Sequence, residues 1–161
     1  MELKRVVVTG LGALTPIGNN VPDFWEGLTN GVSGAAPIKG FNTEKFKTKF
    51  ACEVKNFNPE DFLEKKEARK LDPFVQYALV ATEEAVKDGG FDFEKLDTNR
   101  IGVIWGAGIG GLKTFLDEIS NFAKGDGTPR YNPFFIPKMI IDIAPGRISI
   151  KYGLRGPNFA T

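Results

Sequence analysis

Four cations stand close together in one charged stretch: Lys65, Lys66, Arg69 and Lys70. Two pairs of them are spaced i, i+4, so a helix over residues 65–71 would carry all four on one side. Glu64 and Glu67 dilute this positive cluster. The residues alone leave two interpretations open, an ordinary solvated helix face or a dock for an acidic partner.

A glycine-rich segment covers residues 106–111 and reads Gly-Ala-Gly-Ile-Gly-Gly. It satisfies the G-x-G-x-x-G pattern of dinucleotide-binding loops and lies between a predicted strand and a predicted helix. That fingerprint also needs a second strand that ends in an acid about 20 residues later. Asp126 stands at this distance, but no apolar strand precedes it. We favour a steric role for the glycine segment, in which its backbone lies close to a neighbouring segment and the Ile109 side chain projects. We expect no cofactor and no metal.

The chain contains no histidine and a single cysteine, Cys52. Ser-His-Asp, Cys-His and His-metal chemistry therefore cannot be completed within it. Cys52 is expected to be a small buried residue. Because one cysteine permits no internal disulfide and no signal-like apolar segment is present, we expect a reducing, cytoplasmic compartment.

An aromatic stretch, Pro133-Phe134-Phe135-Ile136-Pro137, concentrates apolar bulk between two prolines. It fits core packing as well as it fits the wall of a lipophilic pocket or interface.

Composition bounds the class of protein. The 161 residues, 42% hydrophobic and 25% charged, are typical of one folded, water-facing domain. Lys and Arg number 21 against 20 Asp and Glu, so the net charge of +1 gives no global attraction for nucleic acid or anionic lipid. No apolar run approaches the roughly 18 residues of a membrane span. We expect neither a nucleic-acid nor a membrane partner.

Strands and helices alternate along the chain, which is typical of an α/β fold. Val6-Val7-Val8 predicts a strand buried on both faces, and Pro22 opens a helix that Asn30-Gly31 closes. Residues 31–57 are predicted to be mostly loop.

The longest predicted helix has Asp72 as its N-cap and ends at Gly89-Gly90. Its small-residue face is expected to pack closely on a sheet and consists of Phe74, Ala78, Ala81 and Ala85. Further elements are predicted as a strand over residues 100–105, a helix over 112–123, a helix over 139–152 and a strand after Gly156. Pro145-Gly146 predicts a kink or break in the third of these.

Six segments in this order resemble the beta-ketoacyl-[acyl carrier protein] synthases, and most of all their elongating type II members. They are RVVVTGLG (5–12) with TPIG (15–18), FW (24–25), RKLD (69–72), GAGIGGL (106–112), PFFIP (133–137) and ISIKYGLRGP (148–157). The resemblance implies a thiolase-like αβαβα fold in a homodimer. Residues 1–161 would form its first half, incomplete, as one N-terminal ketoacyl synthase domain.

The resemblance also implies a chemistry, the decarboxylative Claisen condensation of malonyl-[acyl carrier protein] with an enzyme-bound acyl thioester. The family's nucleophilic cysteine would follow a few residues after Thr161 and its two histidines further on, so no catalytic residue is assigned here and this chain alone is expected to be inactive. By position, the acyl pocket would include Ile109, Phe134 and Phe135. The carrier dock would include Lys66, Arg69 and Lys70, with Lys65 as a neighbour.

Two alternatives remain beside this interpretation: a non-catalytic subunit similar to the chain-length factors of polyketide systems, and a nucleotide-binding oxidoreductase domain. One departure from the family pattern is Pro145 and Arg147, where many relatives have alanine and histidine. We also expect residues 1–161 alone to be unstable, because a sheet edge would be left uncovered.

Overall fold

A computed structural model describes residues 3–161, which form two compact units. Of the described residues, the first unit contains 3–58 together with Val80–Phe91. The second contains Pro59–Leu79 and Asp92–Thr161. One long helix, α3 (Pro73–Asp88), contributes its first half to the second unit and its second half to the first. No helix within residues 3–161 has the length and apolarity needed to cross a membrane.

In the first unit, α1 covers Val21–Thr29. The Asn20 side chain caps it by accepting a hydrogen bond from the backbone N of Asp23 at 2.8 Å, and Gly31 follows it with a left-handed φ of 64°. The helix predicted to begin at Pro22 and end before Asn30-Gly31 is confirmed to within one residue. Two short strands, β1 (Ala36–Pro37) and β2 (Phe50–Ala51), pair antiparallel in a region that is otherwise loop, as predicted.

The predicted strand at Val6-Val7-Val8 is wrong. These residues form no strand, and their side chains are 88%, 60% and 79% exposed. A strand requires a partner for its backbone hydrogen bonds, and within residues 3–161 no strand pairs with this segment. The strand propensity of its β-branched residues is therefore not sufficient to form a strand here.

Chain residues 10–13 lie instead against the second half of α3. A Cβ at Gly12 would stand 1.9 Å from the carbonyl oxygen of Ala81, and one at Gly10 would stand 2.2 Å from that of Ala85. The backbone N of Ala13 also donates to Glu84 Oε2 at 2.8 Å. The second half of the predicted alanine face, Ala81 and Ala85, is therefore packed closely by residues 10–13, which form no strand. Ala78, in its first half, lies in one hydrophobic core cluster with Val103.

The second unit contains most of the regular structure. Its remaining helices are α2 (Lys65–Ala68), α4 (Leu112–Lys124), α5 (Phe135–Met139) and α6 (Ile143–Tyr152), and its strands are β3 (Val103–Trp105) and β4 (Asn158–Ala160). Single 3-10 turns cover Pro59–Asp61 and Thr98–Arg100. The strands are parallel, with Ile104 opposite Phe159. The core consists of Leu71, Val75, Ala78, Leu79, Val103, Ala144 and Ile148.

The predicted break at Pro145-Gly146 is also wrong. The helical spacing over residues 139–152 is interrupted earlier, at Ile140–Asp142, and α6 begins at Ile143. Pro145 therefore lies in the first turn of α6, where a missing backbone N–H costs no intrahelical hydrogen bond. The ring is buried. The residue after it resumes the helical pattern, since the backbone N of Gly146 donates to the carbonyl oxygen of Asp142 at 3.1 Å.

Cys52, expected to be buried, is exposed. Ala51 in β2 is half-buried while Phe50 and Cys52 on either side are exposed. Successive side chains of an extended segment point to opposite faces, and Cys52 lies on the uncovered face.

Candidate functional site

The predicted basic surface is built on α2, which is a single helical turn. The Glu64 side chain makes no capping hydrogen bond at its start, so local sequence contributes little to its stability. Its other end is anchored, because Ala68 and Leu71 are buried. The buried Gln76 side chain donates from Nε2 to the carbonyl oxygens of Ala68, at 2.9 Å, and Leu71, at 3.2 Å. The long helix α3 therefore holds the C-terminal end of α2 in place.

The helix predicted over residues 65–71 ends at Ala68, and Arg69 is its C-cap. All four predicted docking cations remain exposed. Lys65 pairs with Glu60 at 3.1 Å. Lys70 pairs with Glu67 at 3.4 Å and its Nζ lies 5.7 Å from the centre of the Phe134 ring. Each of the four cations is thus exposed to solvent, but only Lys65 and Lys66 lie on the helix.

Arg69 and Lys70 form one side of an open cavity of about 650 Å³. The rest of its lining is Glu118, Asn121 and residues 130–134. A third cation at this cavity, Arg130, was not predicted from the sequence, because it lies about 60 residues further along the chain and belongs to no recognisable spacing. Its guanidinium pairs with Asp126 at 3.1 Å.

The Asp126 carboxylate accepts hydrogen bonds from residues of its own turn, Thr128 and Arg130. A backbone hydrogen bond from Thr128, with further contributions from the Thr128 side chain and Arg130, holds the pKa of Asp126 below its ordinary value. No strand lies between α4 and this residue. A dinucleotide fingerprint requires a second strand that ends in an acid. Asp126 therefore does not end a strand as that fingerprint requires.

Glu67 on α2 contacts two cations. Arg147 on α6 is hydrogen-bonded to Glu67 through Nη2 and Oε2, while Lys70 contacts the other carboxylate oxygen. Burial alone would raise the pKa of Glu67, but the charges of Arg147 and Lys70 outweigh it and the net shift is downward. Glu67 is therefore a carboxylate shared by two cations.

Ile109 projects from the glycine segment and is 67% exposed. It borders an apolar cavity of about 410 Å³, lined also by Leu112, Phe115, Met139, Ile140, Ile141 and Asp142. The segment approaches α5 closely, since a Cβ at Gly110 would stand 2.6 Å from the carbonyl oxygen of Met139. The backbone N of Gly111 donates to that same oxygen at 3.0 Å. The predicted close backbone approach is present, with α5 as the neighbouring segment.

The two phenylalanines predicted beside Ile109 face different surroundings. Phe134 lines the open cavity beside Arg69 and Lys70, next to the Lys70 side chain. Phe135 is half-buried and stacks on Phe115, with ring centres 6.1 Å apart, and on Tyr131, at 5.8 Å. Since Phe115 also lines the apolar cavity, this aromatic stack connects the wall around Ile109 with the wall around Lys70.

A family model, "Beta-ketoacyl synthase, N-terminal domain", matches residues 3–161. The chain belongs to the beta-ketoacyl synthase family. It is 50% identical over 159 residues to 3-oxoacyl-[acyl-carrier-protein] synthase 2 of Staphylococcus aureus (strain COL), which covers 98% of this chain and 38% of that protein. The namesake protein of a Synechocystis strain is 43% identical over 161 residues. The chain therefore spans about 38% of the length of these relatives.

Solved ketosynthases share the fold. The ishigamide ketosynthase/chain length factor superposes with a TM-score of 0.85 at 25% identity, covering 96% of this chain and 39% of that one. A ketosynthase solved with its type II PKS acyl-carrier protein gives 0.77 at 27% identity, covering 99% and 41%. The thiolase-like fold class predicted from the sequence is confirmed, and this beta-ketoacyl synthase chain represents the N-terminal part of it.

Proposed function

We propose that the protein containing this chain is an elongating beta-ketoacyl-[acyl carrier protein] synthase of fatty acid biosynthesis, working as a cytoplasmic homodimer without a cofactor. The observation that carries the proposal is the 50% identity, over 98% of the chain, to a protein named 3-oxoacyl-[acyl-carrier-protein] synthase 2. A second support is the cationic surface on and after α2, which suits a partner with an acidic surface.

The proposed reaction has two stages. A cysteine thiolate attacks the acyl thioester of the carrier, forms the enzyme thioester and releases the carrier thiol. The malonyl thioester then loses carbon dioxide, and the electron pair of the broken C–C bond forms an enolate. The enolate carbon attacks the acyl-enzyme carbonyl, the cysteine thiolate leaves, and a 3-oxoacyl carrier thioester results. Residues 1–161 contain no histidine, so the histidines of this chemistry, and by the resemblance the nucleophilic cysteine, would lie outside them.

The proposed contribution of this chain is binding. Lys65, Lys66, Arg69 and Lys70 would contact the acidic acyl carrier protein. All four are exposed, and Arg69 and Lys70 border a cavity that is open to solvent. Cations at an open rim steer an anionic partner during encounter and orient it on contact.

For the acyl group we propose a wall made of Ile109, Phe134 and Phe135, close to the contact between the two subunits. The support is the apolar cavity beside Ile109 and the aromatic stack that extends from it through Phe115 and Phe135. An alkyl chain gains roughly 0.8 kcal/mol for each CH₂ group that such a wall removes from water.

A second candidate function is that of a non-catalytic subunit similar to a chain-length factor. The observation that favours it is the superposition on the ishigamide ketosynthase/chain length factor at a TM-score of 0.85. Such a subunit would keep the fold and the carrier surface and would lack the nucleophile.

The reading frame of the gene beyond Thr161, combined with an acylation assay, tests the proposal. We expect a cysteine codon within the next few positions and transfer of an acyl group from acyl carrier protein to that cysteine, seen as a mass increase of the intact protein. Another residue at that position, with no acylation, would contradict the enzyme and favour the chain-length-factor function.

A further inference from the structure

Glu67 stands within the proposed docking surface and has the wrong charge for it. It lies on α2 between Lys66 and Arg69, and its side chain is 38% exposed. A carboxylate at this place would repel an acidic partner and attract the nearest lysine to itself. That lysine is Lys70, whose Nζ is 3.4 Å from Glu67 Oε1.

Arg147 contacts the other oxygen of this carboxylate. It reaches Glu67 Oε2 from α6, a separation of 80 residues along the chain, and its side chain is 31% exposed. Arginine remains charged at every pH that a folded protein tolerates, and it carries several donors in a fixed plane. It therefore neutralises Glu67 permanently, whatever Lys70 does.

Arg147 is not needed to hold α2 in place. Two buried residues, Ala68 and Leu71, anchor the end of this turn, and the Gln76 amide bonds to both of their carbonyl oxygens. The contact between Arg147 and Glu67 therefore has an electrostatic effect that can be separated from the folding of the turn.

We propose that Arg147 is a positioning residue for the docking surface, acting through Glu67: it serves as the counter-ion of Glu67 and leaves the Lys70 ammonium available to an acidic group of the partner. This inference rests on the proposed carrier-binding function. When Lys70 moves from Glu67 to a carboxylate of the carrier, Glu67 keeps one cation and no unpaired charge is left behind. Without Arg147, the same movement would leave Glu67 unpaired, and the carrier would have to compete with it for Lys70.

We expect the effects of Arg147 and Glu67 on carrier affinity to be coupled in variants of the protein as its gene encodes it. Arg147→Gln should lower the affinity for acyl carrier protein about threefold, as expected for a partly exposed charge pair. Glu67→Gln should not lower it, because the glutamine has no charge with which to hold Lys70. In the Glu67→Gln background, Arg147→Gln should have no further effect. Arg147→Lys should restore most of the affinity, and Arg100→Gln, the loss of an exposed arginine elsewhere, should leave it unchanged.

A second readout does not depend on the carrier. An ion pair keeps a lysine protonated and unreactive, so acetic anhydride should label Lys70 about twofold more slowly in Arg147→Gln than in wild type. The Glu67→Gln substitution should abolish this difference. Lys65, which pairs with Glu60, is the internal control and should label at the same rate in all variants.

Equal losses of affinity from Arg147→Gln with and without Glu67 would overturn the inference, because Arg147 would then contact the carrier itself. Unchanged labelling of Lys70 in Arg147→Gln would overturn it as well. If wild-type protein does not bind acyl carrier protein, the proposed docking function is wrong, and the labelling then decides alone whether Arg147 controls Lys70 through Glu67.

Discussion

Asp72 and Thr114 join the start of the longest helix to the helix that follows the glycine segment. Thr114 Oγ1 donates a 2.6 Å hydrogen bond to Asp72 Oδ2 across 42 residues of sequence. The other oxygen, Oδ1, accepts the backbone N–H of Phe74 at 3.3 Å and caps α3. One buried carboxylate therefore fixes both the end of the segment that carries the four cations of the proposed docking surface and the first turn of α4, beside the loop that carries Ile109.

We expect removal of the Asp72 carboxylate to destabilise the protein. Asp72→Ala should lower the free energy of unfolding by about 2 kcal/mol, because a helix cap and a buried hydrogen bond are lost together. Thr114→Val should cost about 1 kcal/mol, since it removes the hydroxyl donor alone. Urea titration of both variants measures this.

The matched control for this experiment is Asp142→Ala. Asp142 occupies the N-cap position of α6, but its side chain makes no capping hydrogen bond, so the change should stay within about 0.5 kcal/mol. A loss as large as that of Asp72→Ala would show that the buried contact with Thr114 is not what makes Asp72 important.

Local signals predicted α3 well, and long-range contacts explain where prediction failed. Asp72, the proline after it and Gly89-Gly90 define both ends of α3 through capping preferences that act within a few residues. Val6-Val7-Val8 has strand propensity, but a strand also depends on a partner that propensity does not specify. The break predicted at Pro145 was wrong because the effect of a proline depends on where the helix begins. Here the helix begins only two residues earlier, at Ile143.

In the candidate site, too, local features could be predicted from the sequence and long-range contacts could not. The four cations are visible in the sequence because they share one turn and its flank. Arg147 and Glu67 are 80 residues apart, and no spacing rule connects them. Only the packing of α6 near α2 brings the two charges together.

The Glu67 carboxylate should make stability depend on pH. Its pKa is lowered below the ordinary value of 4.5, so the ionised form stabilises the fold at pH values above 4.5, and this contribution disappears as the pH falls through the lowered pKa. Because the side chain is 38% exposed, solvent screening keeps the effect below about 1 kcal/mol.

Denaturant titrations of wild type and Glu67→Gln between pH 7 and pH 3 measure it. Wild type should be the more stable protein at pH 7, and the two should converge below pH 4.5. A constant difference across this range would indicate that the glutamine alters packing and not charge.

We expect charge reversal at a cation of the proposed docking surface to weaken carrier binding through electrostatics. Lys66→Glu and Arg69→Glu should each lower the affinity for acyl carrier protein about tenfold at low salt, mainly by slowing association. The loss should shrink as the salt concentration rises. Surface plasmon resonance at two ionic strengths measures both effects.

Lys87→Glu makes the same charge change at an exposed position in the last turn of α3 and serves as the control. It lies outside the proposed surface and should change the affinity less than twofold. Equal losses from Lys87→Glu and Lys66→Glu would mean that the carrier responds to overall charge and not to this surface.

Because Ile109 belongs to the proposed acyl pocket, added bulk there should shorten the acyl groups that the proposed enzyme accepts. Ile109→Phe would extend a larger side chain into the cavity lined by Leu112 and Phe115, and every CH₂ group excluded from the wall loses roughly 0.8 kcal/mol of burial. Acylation of the full-length protein with acyl chains of increasing length should show lower rates for the longest chains and unchanged rates for the shortest.

Leu28→Phe, an enlargement at an exposed position of α1, should leave this length profile unchanged. If Ile109→Phe also leaves it unchanged, Ile109 does not line the acyl pocket.

Two glycine-to-alanine substitutions should shift stability in opposite directions. A Cβ at Gly12 would stand 1.9 Å from the carbonyl oxygen of Ala81, so Gly12→Ala must push residues 10–13 away from α3 and should cost about 2 kcal/mol. Gly146 lies inside α6, and a Cβ added there would have no atom within 4 Å apart from its chain neighbours and the backbone of its own helix. Gly146→Ala should therefore add roughly 0.5–1 kcal/mol by restricting the unfolded chain. Urea titrations of both variants measure the two signs, and a loss in Gly146→Ala would contradict the regular helix after Pro145.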